Sequence, residues 1–308
     1  MKKVLFILIC AALSAAAFAQ PGGGAGFGGW QMPQIQMEYS QKIADIDYAG
    51  DGEVFHQLDI YLPKEEKASY PVVIHIYGSA WFSNNSKGMA DLGTIVQALL
   101  NAGYAVVTPN HRSSSDAKFP AQIQDIKAVV RFVRANAATY HFDTSFVAIS
   151  GFSSGGHLSS LTATSGGVEA LEGTVGKYLG ESSRVDAACD WSGPIDMFRM
   201  NCDEPRKWGN TPEEALVGHA YEEIYRKDFE AISPVTYIDA NDPPVIIFHG
   251  TVDNVVPCCQ GVELYERLSA AGVNTELYLQ EGGGHGFNMY TEENLGRMVD
   301  FLAKVRAK

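Results

Sequence analysis

The stretch FVAISGFSSGGHLSSLTA, residues 146–163, decides the fold of this chain. Its first four residues, 146–149, are apolar or small and are bounded by turn formers, which predicts a short buried strand. The next residues match G-x-S-x-G around Ser153 and lead into a helix of small residues. A strand, a sharp turn and a helix hold a serine hydroxyl clear of the backbone, beside the positive end of the helix dipole. Ser153 is therefore the candidate nucleophile, and a Gly/Ser-rich loop is the alternative.

Predicted strands alternate with predicted helices along the rest of the chain. Two alternating segments, 43–48 and 56–62, are joined by the turn formers AGDGE and predict an antiparallel hairpin. Further strands are predicted at 72–77, 105–108, 185–191, 244–249 and 275–279, and helices at 91–102, after Pro120, at 261–271 and at 292–305. This order predicts an α/β fold with a mostly parallel sheet, helices on both faces and the ligand site at the carboxyl ends of the strands.

Two segments between these elements carry more specific expectations. The helix after Pro120 has apolar residues at helical spacing, and its opposite face is predicted to be exposed to water. The residues of that polar face are Gln124, Lys127, Arg131 and Arg134. Residues 197–233 are irregular and contain two prolines, Pro205 and Pro212, which indicates an insertion that covers the site.

Composition narrows the class of protein. The chain has 308 residues, of which 46% are hydrophobic and 19% charged, as expected for one large α/β domain. The net charge of −13 argues against a surface that binds nucleic acid. No cysteine and histidine spacing resembles a zinc site, so we expect no metal.

The N-terminus has the pattern of an export signal. Lys2 and Lys3 precede an apolar run, and Ala17-Phe18-Ala19 supplies small residues for cleavage before Gln20. We therefore predict a signal peptide at 1–19, a glycine-rich leader at 20–39 and a catalytic domain at 40–308. No later segment reaches the roughly 20 apolar residues of a membrane span. The expected location is secreted or periplasmic, with no membrane contact after cleavage.

Four cysteines remain after removal of the predicted signal. In an oxidising compartment, a bridge between Cys189 and Cys202 is a reasonable hypothesis, because both lie in one stretch of the chain. Adjacent cysteines cannot bridge each other in ordinary geometry, so Cys258 and Cys259 are expected to be free, partly buried thiols.

A serine nucleophile needs a general base, and histidine titrates in the useful range. In chains with this kind of turn, the acid and then the histidine follow the serine, which leaves four candidates. His157 is expected to pack locally, His219 to lie on the surface or cap, and His249 to be buried at a strand end. His285 lies in EGGGHGF, a glycine-rich loop after the last predicted strand, and is the candidate base.

The acid that orients this imidazole is expected in a loop between the serine and His285. Asp253 follows the strand at 244–249 by a few residues and is the candidate, because a carboxylate there can fix the imidazole tautomer. Asp196, Asp239 and Asp242 compete. The last two precede the strand and so fall at its wrong end, and Asp196 is expected to cap a helix.

Backbone amides are expected to stabilise the oxyanion of the intermediate. Position assigns one amide to Ser154, directly after the nucleophile, and the others to Ser79 and Ala80 in the loop YGSAWF. Trp81 in the same loop is either a core aromatic or a wall of the site.

Five motifs carry a family resemblance. They are GFSSGGH (151–157), WSGPIDM (191–197), SPVTYIDANDPPVIIFHGT (233–251), HGTVDNVVP (249–257) and EGGGHGF (281–287). Over about residues 40–305 the chain resembles secreted α/β-hydrolase esterases of the acetylxylan and feruloyl esterase type, within the hormone-sensitive-lipase-like group. The resemblance implies an α/β-hydrolase fold and hydrolysis of short acyl or aromatic esters. It assigns Ser153, Asp253 and His285 as nucleophile, acid and base.

The resemblance also implies a substrate and no cofactor. The expected substrate is a small ester or an acylated oligosaccharide or polysaccharide of the plant cell wall, and no metal or organic cofactor is required. The family's usual His-Gly-Gly-Gly-Trp loop is replaced by Tyr77-Gly78-Ser79-Ala80-Trp81, so substrate preference is expected to be decided there. Two alternatives are a serine peptidase of the prolyl-oligopeptidase kind and a carbohydrate-binding protein that has kept the fold without activity.

Overall fold

The computed structural model describes residues 37–204 and 206–308. The predicted signal peptide and residues 20–36 of the predicted leader lie outside the described residues. In the described ranges, no helix is both long enough and apolar enough to cross a membrane.

An eight-stranded mixed sheet is the centre of the fold. Its strands are β1 Gln41–Asp47, β2 Gln57–Leu62, β3 Tyr70–Ile76, β4 Ala105–Pro109, β5 Phe142–Phe152, β6 Ala187–Trp191, β7 Val245–Gly250 and β8 Thr275–Gln280. They lie in the order β1-β2-β4-β3-β5-β6-β7-β8. β2 pairs antiparallel with β1 and β4, and every other neighbouring pair is parallel. The α/β-hydrolase architecture and the N-terminal hairpin expected from the sequence are confirmed.

Helices cover both faces of the sheet. They are α1 Gln97–Asn101, preceded by a π-helical turn at Leu92–Val96, α2 Ala121–Ala135, α3 Ala137–Tyr140, α4 Ser154–Thr164, α5 Glu169–Glu172, α6 Pro212–Val217, α7 Arg226–Ala231, α8 Cys259–Ala270 and α9 Glu292–Arg306. α2, α4 and α8 pack on one face, and α1 and α9 on the other. The central strand β5 is buried on both sides: Val147 faces the first group of helices and Ala148 the second. This two-sided burial explains why the strands read as continuous apolar runs.

The polar face of α2 corrects a prediction. Lys127 and Arg131 were expected to face water, but they are only 0% and 3% exposed. The segment after α4 covers this side of α2, and Glu172 in α5 accepts a hydrogen bond from Lys127 Nζ at 2.7 Å. Arg131 Nη1 donates to the same carboxylate at 3.2 Å. The polar face is therefore an ion-paired packing surface.

The cysteine pairing is also different from the expected one. Cys202 is bonded to Cys259, and Cys189 and Cys258 are free. Cys189 cannot reach Cys202 because it lies within β6 and is fully buried in the core. Cys202 instead lies over the first residue of α8, and its Cα is 5.7 Å from that of Cys259. The bond ties the irregular segment to the core.

The segment between β6 and β7 contains short helices, α6 and α7, as expected of an insertion. An aromatic cluster of Phe198, Trp208, Tyr221 and Phe229 holds it together, with ring centroids 4.4–5.9 Å apart. The carboxyl ends of β3, β5, β7 and β8 open at one rim of the sheet, because these strands are parallel. The loops of this rim, together with the inserted segment, form the candidate site.

Candidate active site

Ser153 lies at the turn from β5 to α4. Its backbone is in a rare conformation for a serine, with φ 56° and ψ −121°. The crossing is so close that a Cβ added at Gly151 would lie 2.1 Å from the oxygen of Gly155. Ser153 N–H donates to the Trp191 carbonyl at 2.8 Å, which fixes the turn to β6. The glycines permit the strained conformation, and the neighbouring strand holds it in place.

The structure brings the three residues expected to act chemically into one hydrogen-bonded chain. Ser153 Oγ is 2.9 Å from His285 Nε2, and His285 Nδ1 is 2.7 Å from Asp253 Oδ2. Because a carboxylate only accepts, His285 Nδ1 carries the proton toward Asp253. His285 Nε2 is then free to accept the hydroxyl proton of Ser153. This is the arrangement in which an imidazole can act as a general base.

Asp253 is held as an anion. Burial raises the pKa of this carboxyl, but hydrogen bonds from His285 and from the backbone N–H groups of Val256 and Val255 outweigh burial and bring the pKa below its usual value. Both N–H groups donate to Oδ1 at 2.9 Å, which leaves Oδ2 for the imidazole. The carboxylate is therefore charged at neutral pH and fixed in orientation.

Three other histidines lie after the serine, and none reaches its hydroxyl. His157 accepts a hydrogen bond from Trp81 Nε1 and donates to the Ile232 carbonyl; burial lowers its pKa to about 4, so it is neutral. His249 is fully buried, and its Nε2 donates to the Val256 carbonyl. His219 lies in the inserted segment and contacts Asp228. These positions agree with the roles expected from the sequence.

The competing carboxylates also lie elsewhere. Asp196 accepts from the backbone N–H of Phe198, which makes it part of a local turn; the expectation that it caps a helix was wrong. Asp239 and Asp242 lie before β7 and hydrogen-bond within their own turn. Only Asp253, among the four acids weighed, contacts His285.

The expected oxyanion donors are only partly available. Ser79 N–H donates to the Ser154 hydroxyl at 2.8 Å and is therefore engaged, which corrects its assignment as a donor. In the described part of the chain, the amides of Ala80 and Ser154 donate to no other residue. Both residues line the cleft beside Ser153, and Ala80 has φ 49°. Two amides are thus available beside Ser153 to stabilise charge on an attacked carbonyl oxygen.

The unusual Tyr77 and its neighbour Gly78 have clear structural roles. Tyr77 is buried, donates its hydroxyl proton to the Ser83 carbonyl at 3.0 Å, and stacks on His111 at 5.0 Å. It therefore fixes the far end of the loop. A Cβ at Gly78 would lie 2.9 Å from Ser153 Cβ, so this glycine is required for contact with the nucleophile. The G-S-A sequence predicts a loop of small side chains, but it does not show which of these residues contacts Ser153.

A cavity of about 140 Å³ opens beside Ser153. Ala80, Trp81, Ser154, Pro194 and Val256 line it from the rim loops, and Met200, Arg206, Pro212 and Glu213 line it from the inserted segment. Trp81 serves both purposes that were considered, since it is only 2% exposed yet borders the cavity. The residues of the inserted segment could not be assigned from the sequence, because they are distant in the chain and carry no motif.

Among residues 37–204 and 206–308, no group of three or more His, Cys, Asp or Glu side chains is arranged to hold a metal ion. The arrangement described above can deprotonate a serine hydroxyl, stabilise an oxyanion and admit a small acyl group beside the serine.

A protein-family model described as BD-FAE matches residues 58–268. A solved structure described as a truncated form of a carbohydrate esterase from gut microbiota is 44% identical, with a TM-score of 0.85; the match covers 88% of this chain and 98% of the other. A bifunctional GH43-CE protein from Bacteroides eggerthii is 48% identical, with a TM-score of 0.82, over 86% of this chain and 35% of the other.

A curated relative is esterase LipQ of Mycobacterium tuberculosis, which is 29% identical over 82% of this chain and 59% of its own length. The chain spans about three fifths of the length of the M. tuberculosis esterases that it matches.

Proposed function

The chain belongs to the BD-FAE family of α/β-hydrolase esterases, and we propose from this premise that it is a serine esterase of acylated carbohydrates. The observation that carries the proposal is the hydrogen-bonded chain from Ser153 Oγ through His285 to Asp253, at 2.9 and 2.7 Å. An imidazole placed in this way activates a hydroxyl for attack on a carbonyl carbon.

The first half of the reaction transfers the acyl group to the enzyme. Ser153 Oγ attacks the ester carbonyl carbon while His285 Nε2 takes the hydroxyl proton, and Asp253 stabilises the imidazolium. The N–H groups of Ser154 and Ala80 stabilise the oxyanion. When the intermediate collapses, the bond to the alcohol oxygen breaks and His285 returns the proton to that oxygen.

The second half releases the acid. A water molecule takes the place of the alcohol, and His285 removes one of its protons as the water oxygen attacks the acyl carbon. Collapse of this second intermediate breaks the bond to Ser153 Oγ, which recovers its proton from His285. The products are one alcohol and one carboxylic acid, and the enzyme returns to its initial state.

We propose acetyl groups on plant-cell-wall polysaccharide as the preferred ester, with feruloyl groups as the alternative. Two relatives at 44% and 48% identity are described as a carbohydrate esterase and as a bifunctional GH43-CE protein. The 140 Å³ cavity is small beside the roughly 300–1,000 Å³ of sites for drug-sized ligands, which favours a short acyl group next to the alcohol half that the cavity also has to admit. The export signal proposed from the sequence agrees with a polymeric substrate outside the cytoplasm.

The test of the mechanism is Ser153→Ala. The control is Ser182→Ala, because Ser182 is an exposed serine that does not line the cavity. We expect Ser153→Ala to abolish hydrolysis of p-nitrophenyl acetate and labelling by a fluorophosphonate probe, and Ser182→Ala to retain both. Retention of hydrolysis by Ser153→Ala would exclude the mechanism. Acetate and ferulate release from acetylated xylan and feruloylated arabinoxylan, measured side by side, decides between the two acyl groups.

A further inference from the structure

A buried ion pair lies in the wall of the cleft. Arg206 and Glu213 both line the cavity beside Ser153, and Arg206 Nη2 donates to Glu213 Oε2 at 2.7 Å. Their side chains are only 11% and 4% exposed. Both residues come from the inserted segment, and neither belongs to the hydrogen-bonded chain of Ser153, His285 and Asp253. The chemical steps described above leave the pair without a role.

The guanidinium of Arg206 retains unused donors. Its Nε is buried and has no hydrogen-bond partner among the described residues. The indole of Trp208 packs against the group, with its centroid 5.1 Å from Cζ, and supplies no acceptor for an N–H. A guanidinium has five N–H donors, and among the described residues Glu213 accepts from Nη2 alone, so N–H groups remain for an acceptor on a ligand in the cavity.

The charge of the pair restricts the class of ligand. The carboxylate of Glu213 already balances the guanidinium, so the pair presents donors and acceptors with no net charge. A carboxylate or phosphate ligand would be attracted by Arg206 but repelled by Glu213. A hydroxyl group suits both residues, because it can accept from the guanidinium and donate to the carboxylate.

The chain is anchored on both sides of the pair. The disulfide between Cys202 and Cys259 anchors the chain four residues before Arg206. Glu213 lies in the first turn of α6, and Thr211 caps this helix by accepting from Glu214 N–H, while the Glu214 carboxylate accepts from Thr211 N–H. A site fixed in this way loses little side-chain entropy when a ligand binds.

We propose that Arg206 and Glu213 recognise a free sugar hydroxyl near the ester that Ser153 attacks. The inference rests on the proposed esterase function and names the feature of the alcohol half that the enzyme selects. A hydroxyl group of a sugar ester can hydrogen-bond to both Arg206 and Glu213, whereas an ester of a simple phenol has no such group. The two residues are therefore determinants of specificity, and they take no part in the proton transfers.

The experiment compares two substrates: acetylated xylo-oligosaccharides and p-nitrophenyl acetate. We expect Arg206→Gln to lower kcat/KM for the oligosaccharides about tenfold or more and to change that for p-nitrophenyl acetate less than about twofold. Arg199→Gln is the matched control, because Arg199 is in the same segment and pairs with Glu263 but does not line the cavity. We expect it to leave both values unchanged.

A second variant, Glu213→Gln, tests the argument from charge. It keeps the shape of the side chain and leaves the guanidinium uncompensated, so hydrolysis of 4-acetoxybenzoate, which has an anionic alcohol half, should improve relative to p-nitrophenyl acetate. The same variant should lower kcat/KM for the oligosaccharides. An unchanged ratio for 4-acetoxybenzoate would contradict the argument that the pair excludes anions.

The outcomes separate this inference from the proposed function. If Arg206→Gln lowers kcat/KM equally for both substrates, the residue has only a structural role and the recognition role is overturned. An unchanged kcat/KM for both substrates would overturn it as well. If the unaltered protein neither hydrolyses p-nitrophenyl acetate nor reacts with a fluorophosphonate, the proposed function itself fails. Thermal unfolding of each variant shows whether a loss accompanies unfolding.

Discussion

Replacement of Gly155 by alanine tests how strictly the nucleophile depends on close packing of α4 against β3. A Cβ at this position would lie 2.1 Å from the Ile76 carbonyl oxygen and 2.7 Å from that of Tyr77. The shorter contact is about 1.3 Å less than the 3.4 Å at which ordinary van der Waals contact begins. Both obstacles are backbone oxygens, which cannot rotate away, so the first turn of the helix must move.

Such a movement acts directly on the site, since Gly155 is two residues from Ser153 and adjacent to Ser154. A displacement of about 1 Å separates the hydroxyl of Ser153 from His285 and lowers kcat about 100-fold. The strain also costs about 1–3 kcal/mol of unfolding free energy. The loss is expected in kcat more than in KM, because the walls of the cavity formed by the inserted segment are unchanged.

The matched control is Gly296→Ala. Gly296 lies within α9, is exposed, and no heavy atom lies within 4 Å of a Cβ built there. Alanine at a helix interior should raise stability by about 0.5–1 kcal/mol and leave kcat unchanged.

The assay is steady-state hydrolysis of p-nitrophenyl acetate, together with the unfolding midpoint of each variant. A Gly155→Ala protein with kcat within about twofold of the unaltered protein would refute the packing argument. Equal losses in both glycine variants would point to a general effect on folding.

Three further predictions concern other parts of the structure. Asp253→Asn should lower kcat/KM for p-nitrophenyl acetate by about 10⁴-fold, because an amide no longer stabilises the imidazolium of His285; a loss under tenfold would contradict this. Glu172→Gln should cost about 2–3 kcal/mol in chemical denaturation, because it leaves the buried ammonium of Lys127 without its counterion. Burial raises the pKa of Glu172, but hydrogen bonds from Lys127 and Ser183 outweigh burial and lower it. The difference in unfolding free energy between the unaltered protein and Glu172→Gln is therefore full above about pH 4.3 and disappears as pH falls through the lowered pKa. A difference that does not change with pH would contradict this. Cys202→Ser should remove about 4 kcal/mol of stability, given a separation of 57 residues, and addition of a thiol reductant should then have no further effect on the unfolding midpoint.

Local sequence patterns were sufficient to predict the sheet and the hydrogen-bonded chain of the site. Strands buried on both faces read as apolar runs, and the turn at Ser153 has a recognisable spacing of glycines. Asp253 and His285 were found because the carboxyl ends of parallel strands share one rim, so that loops distant in sequence meet there. These inferences need only the order of the elements.

The failures involve contacts that the order of elements does not determine. Lys127 and Arg131 have the spacing of a solvated helix face, and only the path of residues 165–175 shows that the face is covered. The partner of Cys202 depends on where the inserted segment crosses the core. Ser79 has a suitable position for an oxyanion donor, but its N–H is directed at the Ser154 hydroxyl. Each case is decided by tertiary placement of an irregular segment.

Two parts of the chain form the cleft, so the sequence of one part can vary while the other is kept. Loops at the ends of the sheet carry the reacting groups, whereas Met200, Arg206, Pro212 and Glu213 lie in an insertion that starts after β6 and is bonded to the core at Cys202. For the proposed esterase, changes within this insertion should alter the accepted alcohol without moving Ser153 or His285. Residues 198–217 are therefore a natural unit for exchange between homologues, and a graft that carries the cysteine with it should transfer substrate preference onto an unaltered hydrolytic centre.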